Sequence, residues 1–220
     1  MPNVRTLCAA LLLAVSCAGH GADAVSLPAP DTTGSLGVEG ALQQRRSRRS
    51  YSDGRLTLEE VGQLLWAAAG VTSPRGFRTA PSAGALYPFT VYLIASGVEG
   101  LQPGAYSYVP EDHALEPAAG GDLSRRLMEA CLGQACVGEA AASIVLVADY
   151  GVTTSSYPSR GEMYVHMEAG HISQNVYLQC EALGLGTVAV GALRPAAAAE
   201  LLELADGLEV LYLMPVGPLP

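Results

Sequence analysis

The sequence predicts an α+β sandwich, one sheet with helices on its faces, and three observations lead there. Phe89 to Ala95 (FTVYLIA) and Ser143 to Ala148 (SIVLVA) are short, mostly apolar, partly β-branched runs of the kind that form buried strands. Met163 to Leu183 keeps helical spacing throughout, a helix of about 30 Å at 1.5 Å per residue. Between these runs helices and strands do not alternate strictly as β-α-β, which argues against a doubly wound parallel sheet. Half of the 220 residues are hydrophobic, enough for the core of one domain. No repeat of fixed period runs through the chain.

Taken in order, residues 1–24 read as a secretory signal peptide. Arg5 gives a positive start, Leu7 to Val15 an apolar core too short to span a bilayer, and Ala22-Asp23-Ala24 a small-x-small cleavage site. Leu13-Ala14-Val15-Ser16-Cys17 is a loose lipobox, so lipoprotein processing with an anchor on Cys17 is the rival ending. Either way the expectation is export, periplasmic or secreted, with no membrane span. Residues 25–36, rich in Pro, Gly, Ser and Thr, suit a linker, and the folded domain is expected over 37–220.

Thr57-Leu58-Glu59-Glu60 is a capping box. The helix it opens carries Val61, Leu64, Leu65 and Ala68 on one stripe and stops at Gly70. Trp66 lies off that stripe, placed to pack on a neighbouring element or to line a pocket. A loop over 71–88 precedes the first buried strand. Ala105 to Val109 and His113 to Leu115 flank Pro110-Glu111-Asp112 as a hairpin, and Asp122 caps a helix through Ala130. In the long helix Val165, Ala169, Ile172, Val176, Cys180 and Leu183 form an apolar stripe. Glu168, His171 and Asn175 form a polar one on another side, the pattern of a helix at the centre of a fold or an interface. Gly184 and Gly186 end it. Thr187 to Val190 is a short strand, Ala196 to Leu204 a helix and Val210 to Val216 the last strand.

Charge and cysteine content exclude several classes. The net charge is −9, and no basic face remains once the cluster at 45–49 is set aside, so nucleic acid is not the partner. Beyond the signal, Cys131, Cys136 and Cys180 remain, too few and odd in number for a disulfide framework; buried free thiols are expected, the first two on one helix. His166 and His171 are five apart, diverging on a helix where a zinc pair needs a spacing of four. Gly184-Leu185-Gly186 with Gly191 follows a helix and precedes a strand, the reverse of a dinucleotide-cradling turn. Ala80-Pro81-Ser82-Ala83-Gly84 is half a nucleophile elbow, which leaves a serine hydrolase only weakly supported.

The stretch Arg45 to Asp53 (RRSRRSYSD) holds four of the chain's twelve basic residues, and the sequence has no Lys at all. Each cation is therefore a planar fork suited to phosphate or carboxylate. A solvated charge run is the alternative. Ser and Tyr interleaved with the arginines, and the capped helix that follows, favour a site. Small residues flank strands at Ser82 to Gly84 and at Gly186 to Gly191, where a flat ligand can approach the backbone. With an anion site beside them, the residues outline a phosphorylated aromatic cofactor.

Four motifs in this order, Arg45 to Tyr51, Thr79 to Pro88 (TAPSAGALYP), Met167 to Asn175 (MEAGHISQN) and Ala182 to Thr187 (ALGLGT), resemble the nitroreductase superfamily, most closely its SagB/ThcOx-type dehydrogenases. The resemblance covers about residues 40–218. It implies a central, mostly antiparallel sheet flanked by helices, an obligate homodimer, and FMN at the dimer interface. It places Arg45, Arg46, Ser47 and Arg49 on the FMN phosphate and ribityl chain. Ser82, Ala83 and Gly84 would lie along the isoalloxazine, from the partner subunit. Val190 and Gly191 would form the turn whose amide faces flavin N5. His171, Gln174 and Asn175 fit a structural role as well as a flavin contact.

Two departures qualify the resemblance. Azoline-oxidising members carry a Lys-Tyr pair before the central helix; here the matching pair is Ser156-Tyr157, leaving Tyr157 as the proton donor or acceptor and no Lys base. The C-terminal Arg that many nitroreductases use on the phosphate has no counterpart after Gly217, so the N-terminal cluster is expected to carry more of that load. The expected activity is an FMN-dependent oxidoreductase moving hydride through N5 to or from a small or peptide substrate, with a nicotinamide as a possible donor. The alternative is an exported flavin- or peptide-binding protein of the same fold without turnover.

Overall fold

The computed structural model describes residues 23–220. The expected signal peptide, Cys17 included, lies outside them apart from its last two positions. The elements run β1 Val25–Ser26, α1 Val38–Gln44, α2 Leu58–Ala69, a 3-10 turn Ala83–Ala85, β2 Phe89–Ala95, β3 Gly104–Val109, β4 Ala114–Gly120 and α3 Ser124–Ala130. They continue with α4 Ala135–Gly138, β5 Ala142–Asp149, α5 Tyr150–Thr154, α6 Gly161–Leu183, β6 Leu185–Thr187, α7 Pro195–Leu201 and β7 Leu208–Pro218. The seven strands form one sheet in the order β1-β4-β3-β2-β5-β7-β6, every neighbouring pair antiparallel.

The sheet is covered on both faces, and this is why its central strands read as unbroken apolar runs although they are antiparallel. Phe89, Val91 and Leu93 of β2, with Ile144, Leu146 and Ala148 of β5, face α2 and α6. Ile94, Val145 and Val147 face α3 and α7. Alternate residues thus belong to two cores. The capping box forms as expected, Thr57 Oγ1 accepting from the Glu60 N–H and Glu60 Oε2 from the Thr57 N–H. Gly184, at φ 70°, closes α6 in the left-handed conformation that a C-terminal glycine supplies.

Three expectations need correction. Residues 25–36 are not a free linker: β1 pairs with β4, Leu27 is buried, His113 Nε2 lies 2.8 Å from the Pro28 carbonyl, and Gln63 Oε1 accepts the Asp31 N–H at 2.8 Å. Composition is blind to such long-range partners. Cys131 and Cys136 do not share a helix, because α3 ends at Ala130 with Cys131 as its cap, and Leu132 and Gly133, at φ 60° and 76°, turn the chain before α4. All three thiols are buried and free, and burial pushes Cys131 up to about 11. The strand placed at Thr187 to Val190 starts earlier, at Leu185, and Val190 pairs with Leu213 as a single bridge.

Gly186 owes its place to packing. It is the registered partner of Gly217 across β6 and β7, and the Tyr51 ring lies over this glycine pair. A Cβ on Gly217 would come within 2.7 Å of Tyr51 Cγ. Through Tyr51, whose hydroxyl donates to the Pro215 carbonyl at 3.2 Å, the Arg-rich stretch is fastened to the edge of the sheet. Among the described residues no helix is long and apolar enough to cross a membrane.

Candidate functional site

The site is organised by the two sides of α6. At 3.6 residues per turn, His166, Gly170, Tyr177 and Glu181 fall on one side, while Glu168, His171 and Asn175 lie about 140–200° round from His166. The contacts follow this division. On the first side the Tyr177 hydroxyl sits 2.9 Å from Ser47 Oγ and accepts the Ala189 N–H at 2.8 Å, so one phenol ties the Arg-rich stretch to the turn before Gly191. Arg45 stacks over the Tyr177 ring at 5.1 Å. Glu181 accepts the Arg46 N–H at 3.0 Å and pairs with Arg48 at 3.7 Å.

The four arginines are not equivalent. Arg48 turns inward onto Glu181, its backbone N–H bonded to the Thr187 carbonyl at 2.8 Å and its Nε buried without a partner among the described residues. Arg46 spends one nitrogen on the Gln43 and Arg45 carbonyls. Among the described residues the Arg49 and Arg45 guanidiniums make no hydrogen bond or ion pair, that of Arg45 stacking on the Tyr177 ring, which leaves these two forks for an external anion.

Alongside, an open cleft of about 350 Å³ is lined by His166, Ala169 and Gly170 of α6, by Gly191, and by Leu211 and Tyr212. A β-bulge shapes its floor: Leu146 pairs with Tyr212 and Val147 with Val210, so Leu211 is the extra residue and bends β7 here. Beyond the bridge Val190 N–H donates to the Leu213 carbonyl at 2.8 Å. Of the two residues expected to present an amide to a ligand, Val190 is therefore committed to the sheet, and Gly191 is the one whose N–H has no partner among the described residues. A Cβ at Gly191 would lie 3.3 Å from Tyr212 Cε2, whereas nothing stands within 4 Å of one at Gly170. The cleft thus has a flat wall and a backbone donor, with a guanidinium cluster reached through Tyr177, and it fits a planar ring carrying a phosphate.

Ser82, Ala83 and Gly84 are elsewhere, on the opposite side of α6. The Pro81 carbonyl lies 3.1 Å from His171 Nδ1, and the Ser82 hydroxyl accepts the Tyr87 N–H at 2.9 Å. Gly84, Ala85 and Tyr87 all have φ between 52° and 61°, a strained run for the two non-glycines. Tyr157 belongs to this group, since a Cβ on Gly84 would stand 3.0 Å from its hydroxyl. Within one chain the residues expected around one ring form two half-sites: Arg45, Arg46, Ser47, Arg49, Val190 and Gly191 on one side of α6, Ser82, Ala83, Gly84 and Tyr157 on the other. Between them the helix exposes Met163 and Met167. Asn175 has a structural role, its side-chain N–H donating to the Ala67 carbonyl at 3.1 Å.

Sequence reasoning did not single out Tyr177, Tyr212 or Tyr150. Tyr177 was within reach, being seven residues beyond Gly170 and so on the same side of the helix. Replacing Tyr177 by Phe removes the link between Ser47 and Ala189; unfolding in urea is expected to show a loss of about 1–2 kcal/mol, the cost of two hydrogen-bond partners left without a bridge.

Comparison with known proteins agrees with this geometry. The sequence model of the Nitroreductase family matches residues 42–218. A Methanocaldococcus jannaschii protein bearing a provisional nitroreductase name is 42% identical over 195 residues, 89% of this chain and 97% of that protein. The microcin B17-processing protein McbC of Escherichia coli is 29% identical over 148 residues, 60% of this chain and half of McbC. Among solved structures, a provisionally named nitroreductase from Ralstonia eutropha superposes with a TM-score of 0.79 at 33% identity, covering 92% of each chain.

Proposed function

The chain belongs to the nitroreductase family, and from that premise we propose that it is an exported, FMN-dependent oxidoreductase that works as a homodimer. Bound FMN would supply the hydride-accepting and hydride-donating atom, N5. The chain's own residues do the rest. Arg45 and Arg49 hold the phosphate, Ser47 and Tyr177 position the ribityl side, and the Gly191 N–H faces the ring edge from a cleft flattened by Ala169 and Gly170. A second copy brings Ser82 to Gly84 and Tyr157 across the ring.

The observation that carries this reading is the division of the site between opposite sides of α6, with Met163 and Met167 exposed between the halves. A twofold axis beside that strip would complete two sites at once. The substrate is a small molecule or a peptide, and the likeness to McbC supports the peptide option. Ser156, where azoline oxidisers of this resemblance carry Lys, argues against base-assisted azoline oxidation. Export rests on the pattern of residues 1–24.

The test is anaerobic reduction of the FMN-loaded protein by NADH or NADPH, followed by reoxidation with quinone, nitroaromatic and peptide acceptors. Bleaching and recovery of the flavin absorbance within turnover times is the expected result. Bound flavin that neither bleaches nor recovers would make the protein a flavin-binding relative without turnover, the reading that the absent Lys favours.

A further inference from the structure

One pair of side chains at the cleft is not used by the reading above. His166, exposed on α6, has its Nε2 2.8 Å from the Tyr150 hydroxyl, and the two rings meet edge to face with centroids 5.7 Å apart. Tyr150 opens α5, the short helix that leaves β5 at Asp149, and its ring packs against the main core. The histidine is thus held from outside its own helix. Among the described residues its other ring nitrogen, Nδ1, makes no hydrogen bond, and the residue lines the same cleft as Gly170, Gly191 and Tyr212. A histidine pinned through one nitrogen and free at the other, beside a cleft, is the arrangement of a proton-transfer group whose orientation is set by a neighbour.

We propose that His166 is the proton donor and acceptor for the substrate in this cleft and that Tyr150 is its positioning residue. The inference rests on the oxidoreductase reading above. In the reductive direction an acceptor with a polarised C=O or C=N bond takes hydride at carbon from the reduced flavin, which a nicotinamide donor regenerates. The adjoining oxygen or nitrogen takes a proton from Nδ1 of the His166 imidazolium. The π bond breaks as the C–H and O–H or N–H bonds form, and the ring is left as neutral imidazole, its Nε2–H donating to Tyr150, to be reprotonated from water. The oxidative direction reverses each transfer. Burial, with Glu209 and Glu162 nearby, raises the Tyr150 phenol, so that group stays a neutral hydroxyl and serves as a fixed partner.

Tyr157 is not the group for this task within the same chain, since it lies with Gly84 on the other side of α6. Whether the partner's Tyr157 or the chain's own His166 moves the proton is separable by experiment. His166→Gln is expected to bind FMN as tightly as the wild type and to be reduced by the nicotinamide donor at the wild-type rate. Its reoxidation by an imine or aldehyde acceptor should be slower by about a hundredfold or more, the usual contribution of a general acid.

Tyr150→Phe is the second arm, read without turnover. In the flavin-free protein the ¹⁵N resonances of His166 should shift as Nε2 loses its partner, with FMN affinity unchanged. His166→Gln reoxidising at the wild-type rate, or His166 nitrogens that ignore Tyr150→Phe, would overturn the assignment while leaving the oxidoreductase reading intact. A wild-type protein that holds FMN but never turns over would overturn both.

Discussion

Replacing Arg45 and Arg49 together by Ala is expected to weaken FMN binding roughly a hundredfold to ten-thousandfold, since each removes a charge-assisted bond worth about 1.5–3 kcal/mol. The structure sharpens which arginines matter. Arg48 is spent on Glu181 and Arg46 on the Gln43 and Arg45 carbonyls, whereas Arg45 and Arg49 keep free forks. Arg46→Ala should therefore weaken FMN by much less than the double variant. Both sites are partly or fully exposed, so unfolding midpoints should barely move, within about 0.5 kcal/mol. Flavin fluorescence titration measures the affinities. Equal losses from Arg46→Ala and from the double variant would mean that the cluster acts as diffuse charge rather than as two defined contacts.

Glu168 carries the second large effect, on stability. It is 3% exposed on α6, and burial pushes its carboxyl up to about 7, against the opposing pull of the Ser82 hydroxyl and Arg78. A carboxyl raised on folding is protonated in the native state while the unfolded chain has already ionised. Its contribution is thus fully present below pH 4.5 and is lost as pH rises through about 7. Glu168→Gln keeps the shape without the charge. Relative to the wild type it should gain on the order of 2–3 kcal/mol between those limits, read from urea unfolding of the flavin-free protein at several pH values. A wild type that gains stability on the variant over that range would show Glu168 to be an ion-paired carboxylate instead.

How much of this was legible in the sequence varies with the range of the interaction. The capping box at Thr57, the strand Phe89 to Ala95 and the long helix closed by Gly184 are local patterns, and each formed close to the expected bounds. The opposed stripes of α6 were equally readable, because helical geometry alone separates Glu168 and His171 from the apolar stripe. What escaped depends on contacts between distant residues. Asp31 with Gln63, and Pro28 with His113, draw a Pro- and Gly-rich segment into the fold that composition marks as a linker. Tyr150 reaches His166 only because α5 turns the chain between β5 and α6. The bulge at Leu211 is visible only once β5 and β7 are in register. The family resemblance already assigns Ser82 to Gly84 to the partner subunit; nothing in the spacing of Ser82 and Gly191 says that within one chain α6 stands between them.

That division is the central claim, and one measurement bears on it most directly: the visible absorption spectrum of the purified protein before and after FMN is added, taken with its mass in solution. The account predicts a bound-flavin spectrum on a species of twice the chain mass, with one FMN per chain. A colourless monomer that ignores added FMN would contradict it, and would mean that the fold persists here without a completed site.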